Sequence, residues 1–266
     1  MLANFHTHTT FCDGKSTPEQ VVASAIEKGF SAIGFSGHGY TPYDLRYCMK
    51  DTEGYIREIL HLREKYRGKI RIFLGVEEDA FAPVARERFD YIIGSCHYFR
   101  TAESYLPIDS SFEHFRRCIE AADSDALRLA QAYYASFCAY ICERKPDIIG
   151  HFDLVTKFEE VGAPPLLGDA QYEALAEKYL RIAAKSGCVF EVNTGAITRG
   201  LRRAPYPSEA LLRILKKEEA RLILSADSHS AETLDAFFAE TVAYLRDLGF
   251  RSLCTLGENG FVSYSI

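Results

Sequence analysis

One stretch, Tyr91-Ile92-Ile93-Gly94-Ser95-Cys96-His97, combines two features that recur along this chain: a short apolar run and a histidine that follows it. Similar runs, bounded by turn residues, alternate with longer helical patterns. This alternation is typical of βα units, in which helices cover a parallel sheet. The patterns predict seven strands, at about residues 2–6, 31–36, 70–76, 90–95, 147–151, 188–192 and 221–225.

The segments between these strands carry helix signals. Ser16-Thr17-Pro18-Glu19 places a capping residue before a proline in the first turn, and Ser208-Glu209 precedes a second apolar helical pattern. The stretch from about residue 110 to 143 predicts one or two further helices after the fourth strand. No G-x-G-x-x-G or G-x-x-x-x-G-K-[ST] motif follows a strand, so an open nucleotide-binding sheet is disfavoured and an α/β barrel is favoured.

Composition limits the class of protein. A length of 266 residues with 47% hydrophobic content suits a single domain over residues 1–266. The net charge of -6, without a block of like charges, argues against nucleic acid or an anionic membrane as a partner. The sequence shows no secretory signal pattern and no long apolar run, and its eight cysteines lack framework spacing. A cytoplasmic location with reduced thiols is therefore expected.

Residues that bind metals stand at the ends of the predicted strands. His6 and His8 end the first strand and point the same way, because strand side chains alternate, and Asp13 lies on the loop just beyond. Later strands end in the same kinds of side chain, namely His38, Glu77, His97, His151, Asp227 and His229. In a parallel barrel all strands end on one face, so these nine candidate ligands are expected to meet there.

Each of these residues, taken alone, is explained more simply as a hydrogen-bonded histidine or an exposed carboxylate. Six of the eight histidines nevertheless follow predicted strands, and only His61 and His114 fall in helical stretches. Burying so many polar groups without partners would be costly, whereas shared cations would satisfy them. The combined pattern therefore predicts a metal centre.

The chain resembles the polymerase and histidinol phosphatase (PHP) family of metal-dependent phosphoesterases, and the resemblance spans essentially all of it. It depends on the order and spacing of these motifs: His6-x-His8, Asp13, His38, Gly75-Val76-Glu77, Gly94-Ser95-x-His97, Gly150-His151-x-Asp153 and Asp227-x-His229. The resemblance implies an α/β fold that is a distorted (β/α)7 barrel, with the metal site at the C-terminal ends of the strands. Three segments are most similar to the histidinol-phosphate phosphatase branch: Glu77-x-Asp79, Asp153-Leu154-Val155, and Glu191-Val192-Asn193-Thr194 followed by Arg199.

The resemblance also implies three divalent cations and a division of the ligands among them. One cation would be held by His6, His8, Glu77 and Asp227, and Glu77 would bridge to a second that His97 and His151 also hold. Asp13, His38 and His229 would hold the third. Glu77, Asp227 and His229 are predicted as catalytic residues on this basis. The family often has an aspartate where this chain has Gly37, before His38, so no role for that aspartate carries over.

The predicted ligand set suits a phosphate ester. Three carboxylates and six neutral imidazoles around three dications leave a local charge of roughly +3, which matches a phosphate dianion and a hydroxide. Nitrogen and oxygen ligands without thiolate favour Zn, Mn or Fe over Ca or Mg. Such cations can activate water and stabilise charge on phosphate oxygens, so no protein nucleophile is required.

Four residues are predicted to bind the substrate. Arg199 is the first candidate for the phosphate group, because a guanidinium matches phosphate oxygens, and a helix-surface arginine is the alternative. Lys157 is a second candidate, with a solvated lysine as its alternative. Asp79, with Glu78 as a weaker neighbour, is a candidate for a substrate amine, and an exposed acidic loop is the alternative. Asn193, where the sixth strand ends, completes the set.

These observations predict an enzyme that hydrolyses a small phosphate ester. L-histidinol phosphate, hydrolysed to L-histidinol and phosphate in histidine biosynthesis, is the favoured substrate on the resemblance. The alternatives are a PHP-type phosphoesterase acting on another small phosphate ester or nucleotide, and a non-catalytic metal-binding barrel. A nuclease would need a basic or aromatic groove, which the charge pattern does not indicate. The sequence assigns no oligomeric state.

Overall fold

The structure is a computed structural model that describes residues 2–257 and 259–266. Its strands in this part of the chain are β1 (Ala3–Asn4), β2 (Ala32–Phe35), β3 (Arg71–Asp79), β4 (Tyr91–Ser95), β5 (Tyr98–Arg100), β6 (Tyr105–Pro107), β7 (Ile148–Ile149), β8 (Val189–Asn193), β9 (Leu222–Ser225), β10 (Ser252–Gly257) and β11 (Gly260–Ser265). Its α-helices are α1 (Pro18–Glu27), α2 (Thr52–Lys65), α3 (Phe112–Ala121), α4 (Ala126–Arg144), α5 (Ala170–Ala184), α6 (Gly195–Thr198), α7 (Glu209–Lys217) and α8 (Phe238–Asp247).

One mostly parallel sheet organises the fold. Nine strands follow the order β1-β2-β3-β4-β7-β8-β9-β10-β11, and neighbouring strands from β1 to β10 are parallel. Strands β10 and β11 pair antiparallel, as do β5 and β6 in a separate small sheet. The predicted α/β class with a parallel sheet is confirmed.

The C-terminal ends of β1 and β9 also meet. Thr7 and Ser228, just beyond these strands, form an isolated parallel bridge. The amide of His8 donates to the carbonyl of Ser228 at 2.8 Å, and the amide of Ser228 donates to the carbonyl of His6 at 3.0 Å. His6 and His8, which follow β1, are thereby held against the segment that follows β9.

All seven predicted strands are confirmed, as β1, β2, β3, β4, β7, β8 and β9. The β5–β6 pair and the β10–β11 hairpin lie outside that prediction. Strand β11 is the last strand in the sheet order and its side chains are exposed or half-buried, with Val262 54% exposed. An edge strand of this kind needs no long apolar run, so its sequence pattern is weak.

The helix signals are also confirmed. Thr17 and Gln20 form a capping box at the start of α1, in which each side chain accepts a hydrogen bond from the backbone of the other. The stretch from 110 to 143 contains the two helices α3 and α4, capped by Ser111 and Asp125. Within the described residues, no helix has both the length and the apolar character needed to cross a membrane.

The core lies on both faces of the sheet. Helices cover one face, where α4, α5 and α7 all contribute side chains to the largest apolar cluster. A separate cluster consists mainly of strand residues and includes Ile93, Ile148, Val189 and Ile223. In this inner cluster the ring of Tyr91 packs directly over Gly75, where a Cβ atom would overlap the ring. The strands are thus fixed by packing on both sides, which makes their C-terminal ends a rigid base for a site.

Candidate metal centre

The nine predicted ligands come together at the C-terminal ends of the strands. Their ligating atoms form four overlapping groups, and within each group the atoms lie within 4.8 Å of one another. These groups are His6, His8 and Asp227; His6, Glu77 and His151; His38, Glu77 and His97; and His8, Asp13, His38 and His229. Every predicted ligand belongs to at least one group, and in the described part of the chain no other residue joins them.

Glu77, at the end of β3, lies at the centre of the cluster. Its Oε2 is 2.9 Å from His38 Nδ1 and 3.2 Å from His6 Nε2. Its Oε1 is 3.0 Å from His151 Nε2 and 3.2 Å from His97 Nε2. The two carboxylate oxygens therefore face different sets of imidazoles, which is the geometry of a bridging ligand.

Asp227 and Asp13 occupy the side of the cluster nearest β1 and β9. Asp227 Oδ1 is 3.3 Å from His8 Nε2, and Asp13 Oδ2 is 3.3 Å from His229 Nε2. The backbone of Asp227 has a φ of 48°, in the left-handed region that non-glycine residues seldom adopt. Gly195 allows this close packing, because a Cβ there would lie 2.8 Å from Asp227 Oδ2.

Several buried atoms of the cluster have no hydrogen-bond partner among the described residues. These atoms are His6 Nε2, His8 Nε2, Glu77 Oε2 and Asp13 Oδ1. Unpartnered buried polar atoms are costly, and here they converge on one another. A set of nitrogen and oxygen donors with this arrangement fits divalent cations, which would satisfy all four atoms at once.

Neighbouring groups within the cluster shift one another's pKa values. Burial alone would raise the pKa of Glu77, but the imidazoles of His6, His97 and His38 outweigh it and hold that pKa well below its usual value. Burial and the neighbouring His229 lower the pKa of His8 to about 3. His8 is therefore neutral near pH 7, and its ring nitrogens are available as ligands.

A second layer of residues orients the ligands. Glu191, in the middle of β8, places Oε1 2.5 Å from His6 Nδ1, and its Oε2 accepts from the His151 amide at 2.8 Å. Such a carboxylate fixes the proton on Nδ1 and leaves Nε2 to bind a metal. Sequence reasoning assigned no role to Glu191. The sequence signal for such a role was the position of this charged residue within an apolar predicted strand. A carboxylate that is buried in a strand requires a hydrogen-bond partner.

Asp79 has a similar orienting position. Its Oδ2 accepts from the His97 amide at 2.9 Å, and its Oδ1 accepts from the Tyr43 hydroxyl at 2.7 Å. Asp79 also lines the cavity above the cluster. Glu78, by contrast, is fully buried on the other face of β3, where it pairs with Arg144 at 2.8 Å. The alternative of an exposed acidic loop is therefore wrong for both residues.

The cluster opens into a cavity of about 220 Å³ that both predicted cationic residues line. Arg199 follows α6, and its Nη2 donates to Asp227 Oδ2 at 2.8 Å. Lys157 is only 9% exposed, and its Nζ donates to the carbonyl oxygen and to Oδ2 of Asp109, at 2.7 Å and 2.9 Å. The alternative that Lys157 is a solvated lysine is wrong, because burial and Asp109 hold its ammonium at the cavity.

Asn193 does not line this cavity in the described part of the chain. Its amide nitrogen donates to Glu191 Oε2 at 2.9 Å, and its Oδ1 accepts from the Gly195 amide at 2.8 Å. The structure therefore places Asn193 behind the cluster, next to the carboxylate that orients His6. Of the predicted substrate-binding residues, Arg199, Lys157 and Asp79 lie together at the cavity and Asn193 lies outside it.

This chain is similar in sequence and in fold to proteins that are named histidinol-phosphatases. The chain is 27% identical to a probable histidinol-phosphatase of Schizosaccharomyces pombe, over 96% of this chain and 90% of that protein. It is 29% identical to the histidinol-phosphatase of Bacillus subtilis, over 85% of this chain and 92% of that protein. The fold is similar to a histidinol phosphate phosphatase of Lactococcus lactis solved with zinc, L-histidinol and phosphate, with a TM-score of 0.70, 21% identity and 98% of each chain covered. The PHP domain profile matches residues 4–195, and the chain therefore belongs to the PHP domain family.

Proposed function

We propose that this protein is a metal-dependent phosphatase that hydrolyses L-histidinol phosphate to L-histidinol and phosphate, a step of histidine biosynthesis. The observation that carries the proposal is the convergence of nine ligand residues, with unpartnered buried atoms, beneath a cavity that also holds two cationic side chains. The relatives named histidinol-phosphatase, which match over most of their length, support the choice of substrate.

Three divalent cations, of Zn, Mn or Fe, are proposed for the cluster. His6, His8, Glu77 and Asp227 would hold one of them, and Asp13, His38 and His229 would hold another. Glu77 would be shared with a third, held also by His97 and His151. When bound, the cations would supply activation of water near neutral pH and neutralisation of phosphate charge. Glu77 belongs to two of the groups of ligand atoms, and its Oε1 faces both His97 and His151, which supports a Glu77 carboxylate shared between two cations.

The chain itself binds and orients the substrate in this proposal. Arg199 and Lys157 bind the phosphate oxygens, since both line the cavity and each is held there by an ion pair with a carboxylate. Glu191 and Asp79 hold the rings or backbone of ligating histidines, so that the donors stay aimed at the cavity. Asn193 acts through Glu191, and its predicted direct contact with substrate gives way to this positioning role.

The surrounding architecture is proposed to be a distorted (β/α)7 barrel within a single domain of residues 1–266. The Thr7–Ser228 bridge between the ends of β1 and β9 supports closure, as does the inner cluster of strand side chains. One sheet that includes strands from β1 to β11 supports a single domain. We also propose a cytoplasmic location, which suits the eight free thiols.

Phosphate release tests the proposal. The purified protein is first given an aryl phosphate with and without a chelator, and then a panel of cellular phosphate monoesters that includes L-histidinol phosphate. We expect chelation to abolish hydrolysis, added Zn, Mn or Fe to restore it, and L-histidinol phosphate to have the highest kcat/KM. Hydrolysis that persists after the metal is removed would exclude the metal mechanism. A nucleotide or another small ester as the best substrate would instead exclude the assignment to histidinol phosphate.

A further inference from the structure

The cavity beside the metal centre contains a carboxylate that the proposed function leaves without a role. Asp109 lies in the loop between β6 and α3, and it lines the same cavity as the metal ligands. The preceding residue, Ile108, donates its amide to the carbonyl of His97 at 2.8 Å. This hydrogen bond holds the loop that carries Asp109 against the candidate ligand His97, at the same cavity.

The other carboxylates at the cavity are already committed. Asp13, Glu77 and Asp227 belong to the metal-binding groups. Both oxygens of Asp79 accept hydrogen bonds, from the Tyr43 hydroxyl and from the amides of Phe81 and His97. Asp79 therefore has little remaining capacity to accept a hydrogen bond from a substrate.

Asp109 differs from these carboxylates in having an oxygen to spare. Its Oδ2 accepts from Lys157 Nζ at 2.9 Å, whereas no described residue donates to its Oδ1. The side chain is 24% exposed, so it is open to the cavity. Burial would raise the pKa of Asp109, but the ammonium of Lys157 beside it lowers that pKa. The ion pair with Lys157 therefore favours the carboxylate form of Asp109.

Lys157 and Asp109 thus present an ammonium and a carboxylate side by side. L-histidinol phosphate also carries one anionic and one cationic group on neighbouring carbons: its phosphate is on one carbon and its ammonium is on the next. A phosphate drawn to Lys157 would bring that ammonium towards Asp109. Adjacent opposite charges on both partners give the kind of electrostatic complementarity that sets specificity.

We propose that Asp109 binds the ammonium group of the substrate, and that the site selects phosphate esters with an amine on the carbon next to the ester carbon. The inference rests on the proposed function and assigns the amine recognition to Asp109 and not to Asp79. Lys157 keeps its proposed role of binding the phosphate group. The imidazole of the substrate is then free to extend away from the metal centre.

Two substrates that differ only in the amine test this inference. L-histidinol phosphate is compared with its desamino analogue, 3-(imidazol-4-yl)propyl phosphate, for the parent protein and for Asp109→Asn. We expect the ratio of the two kcat/KM values to favour histidinol phosphate in the parent and to fall by about 10- to 100-fold in the variant, as for the loss of a charged hydrogen bond. The amide oxygen and the Asp109 carbonyl can still accept from Lys157, so the lysine keeps its place.

Binding without turnover provides a second readout. Calorimetric titration of the metal-loaded protein should show weaker affinity for L-histidinol in Asp109→Asn, with little change for the desamino alcohol. Asp109→Glu, which keeps the charge, should recover part of the preference. Asp235→Asn is the matched control, because Asp235 also pairs with a lysine, Lys28, at 2.7 Å but does not line the cavity in the described part of the chain.

The outcomes separate this inference from the proposed function. Equal losses on both substrates in Asp109→Asn would show that Asp109 only holds Lys157, and would overturn the inference while the proposed function stands. A parent protein that hydrolyses both esters equally well would overturn it without any variant. A parent protein that hydrolyses neither ester would overturn the proposed function and the inference together.

Discussion

Replacement of Glu191 by glutamine tests whether a buried carboxylate holds His6 in its ligating orientation. Glu191 is fully buried and its Oε1 lies 2.5 Å from His6 Nδ1. Its Oε2 accepts from the amide of His151 at 2.8 Å and from Asn193 Nδ2 at 2.9 Å. Glutamine has nearly the same shape but lacks the charge and has only one acceptor oxygen. At least one of these three hydrogen bonds must therefore be lost or have its direction reversed.

The expected loss of metal affinity follows from the contact between Glu191 and His6. Removal of the partner of a ligating histidine typically lowers metal affinity by about 10- to 100-fold. This range corresponds to about 1.4–2.7 kcal/mol of binding free energy. An amide nitrogen facing Nδ1 would also favour the proton on Nε2, the atom that must bind the metal. We therefore expect a loss at the upper end of the range.

The assay is a zinc titration of the metal-free protein against a competing chelator, combined with hydrolysis of an aryl phosphate at saturating zinc. Glu78→Gln is the matched control, because Glu78 is equally buried and hydrogen-bonded but faces Arg144 on the other side of β3. The control should lose thermal stability and keep its metal affinity. A zinc dissociation constant for Glu191→Gln within twofold of the parent, or an equal loss in both variants, would refute the reasoning.

Three further changes test other parts of the structure. Arg199→Ala is expected to raise KM for a phosphate ester by about tenfold or more, with a smaller change in kcat; Michaelis kinetics identical to the parent would remove Arg199 from the site. Glu77→Gln should lower kcat by several orders of magnitude, since Glu77 contacts two sets of ligands; near-parental turnover in the metal-loaded variant would contradict this. Arg144→Met should lower the free energy of unfolding by about 2–3 kcal/mol in urea titrations, because it leaves the buried Glu78 without its cation; an unchanged midpoint would show that this ion pair does not stabilise the fold.

The strands and the candidate metal ligands were predictable because the sequence signals for both are local. An apolar run followed by a histidine or carboxylate can be identified within about seven residues, and parallel strands bring such ends to one edge. The two-residue alternation of a strand also puts Glu77 and Glu78 on opposite faces. That rule alone would have turned Glu78 away from the site, and the structure agrees with it.

The α/β fold class and the set of nine candidate ligands therefore followed from sequence patterns. The residues that support those ligands were found in the folded structure, because the supporting contacts join distant parts of the chain. His6 and Glu191 are 185 positions apart, and Lys157 and Asp109 are 48 positions apart. Periodicity tells which way a side chain points, but its partner depends on how strands and loops assemble around it. The Lys157–Asp109 pair and the contact of Glu191 with His6 could therefore be identified only from the folded structure.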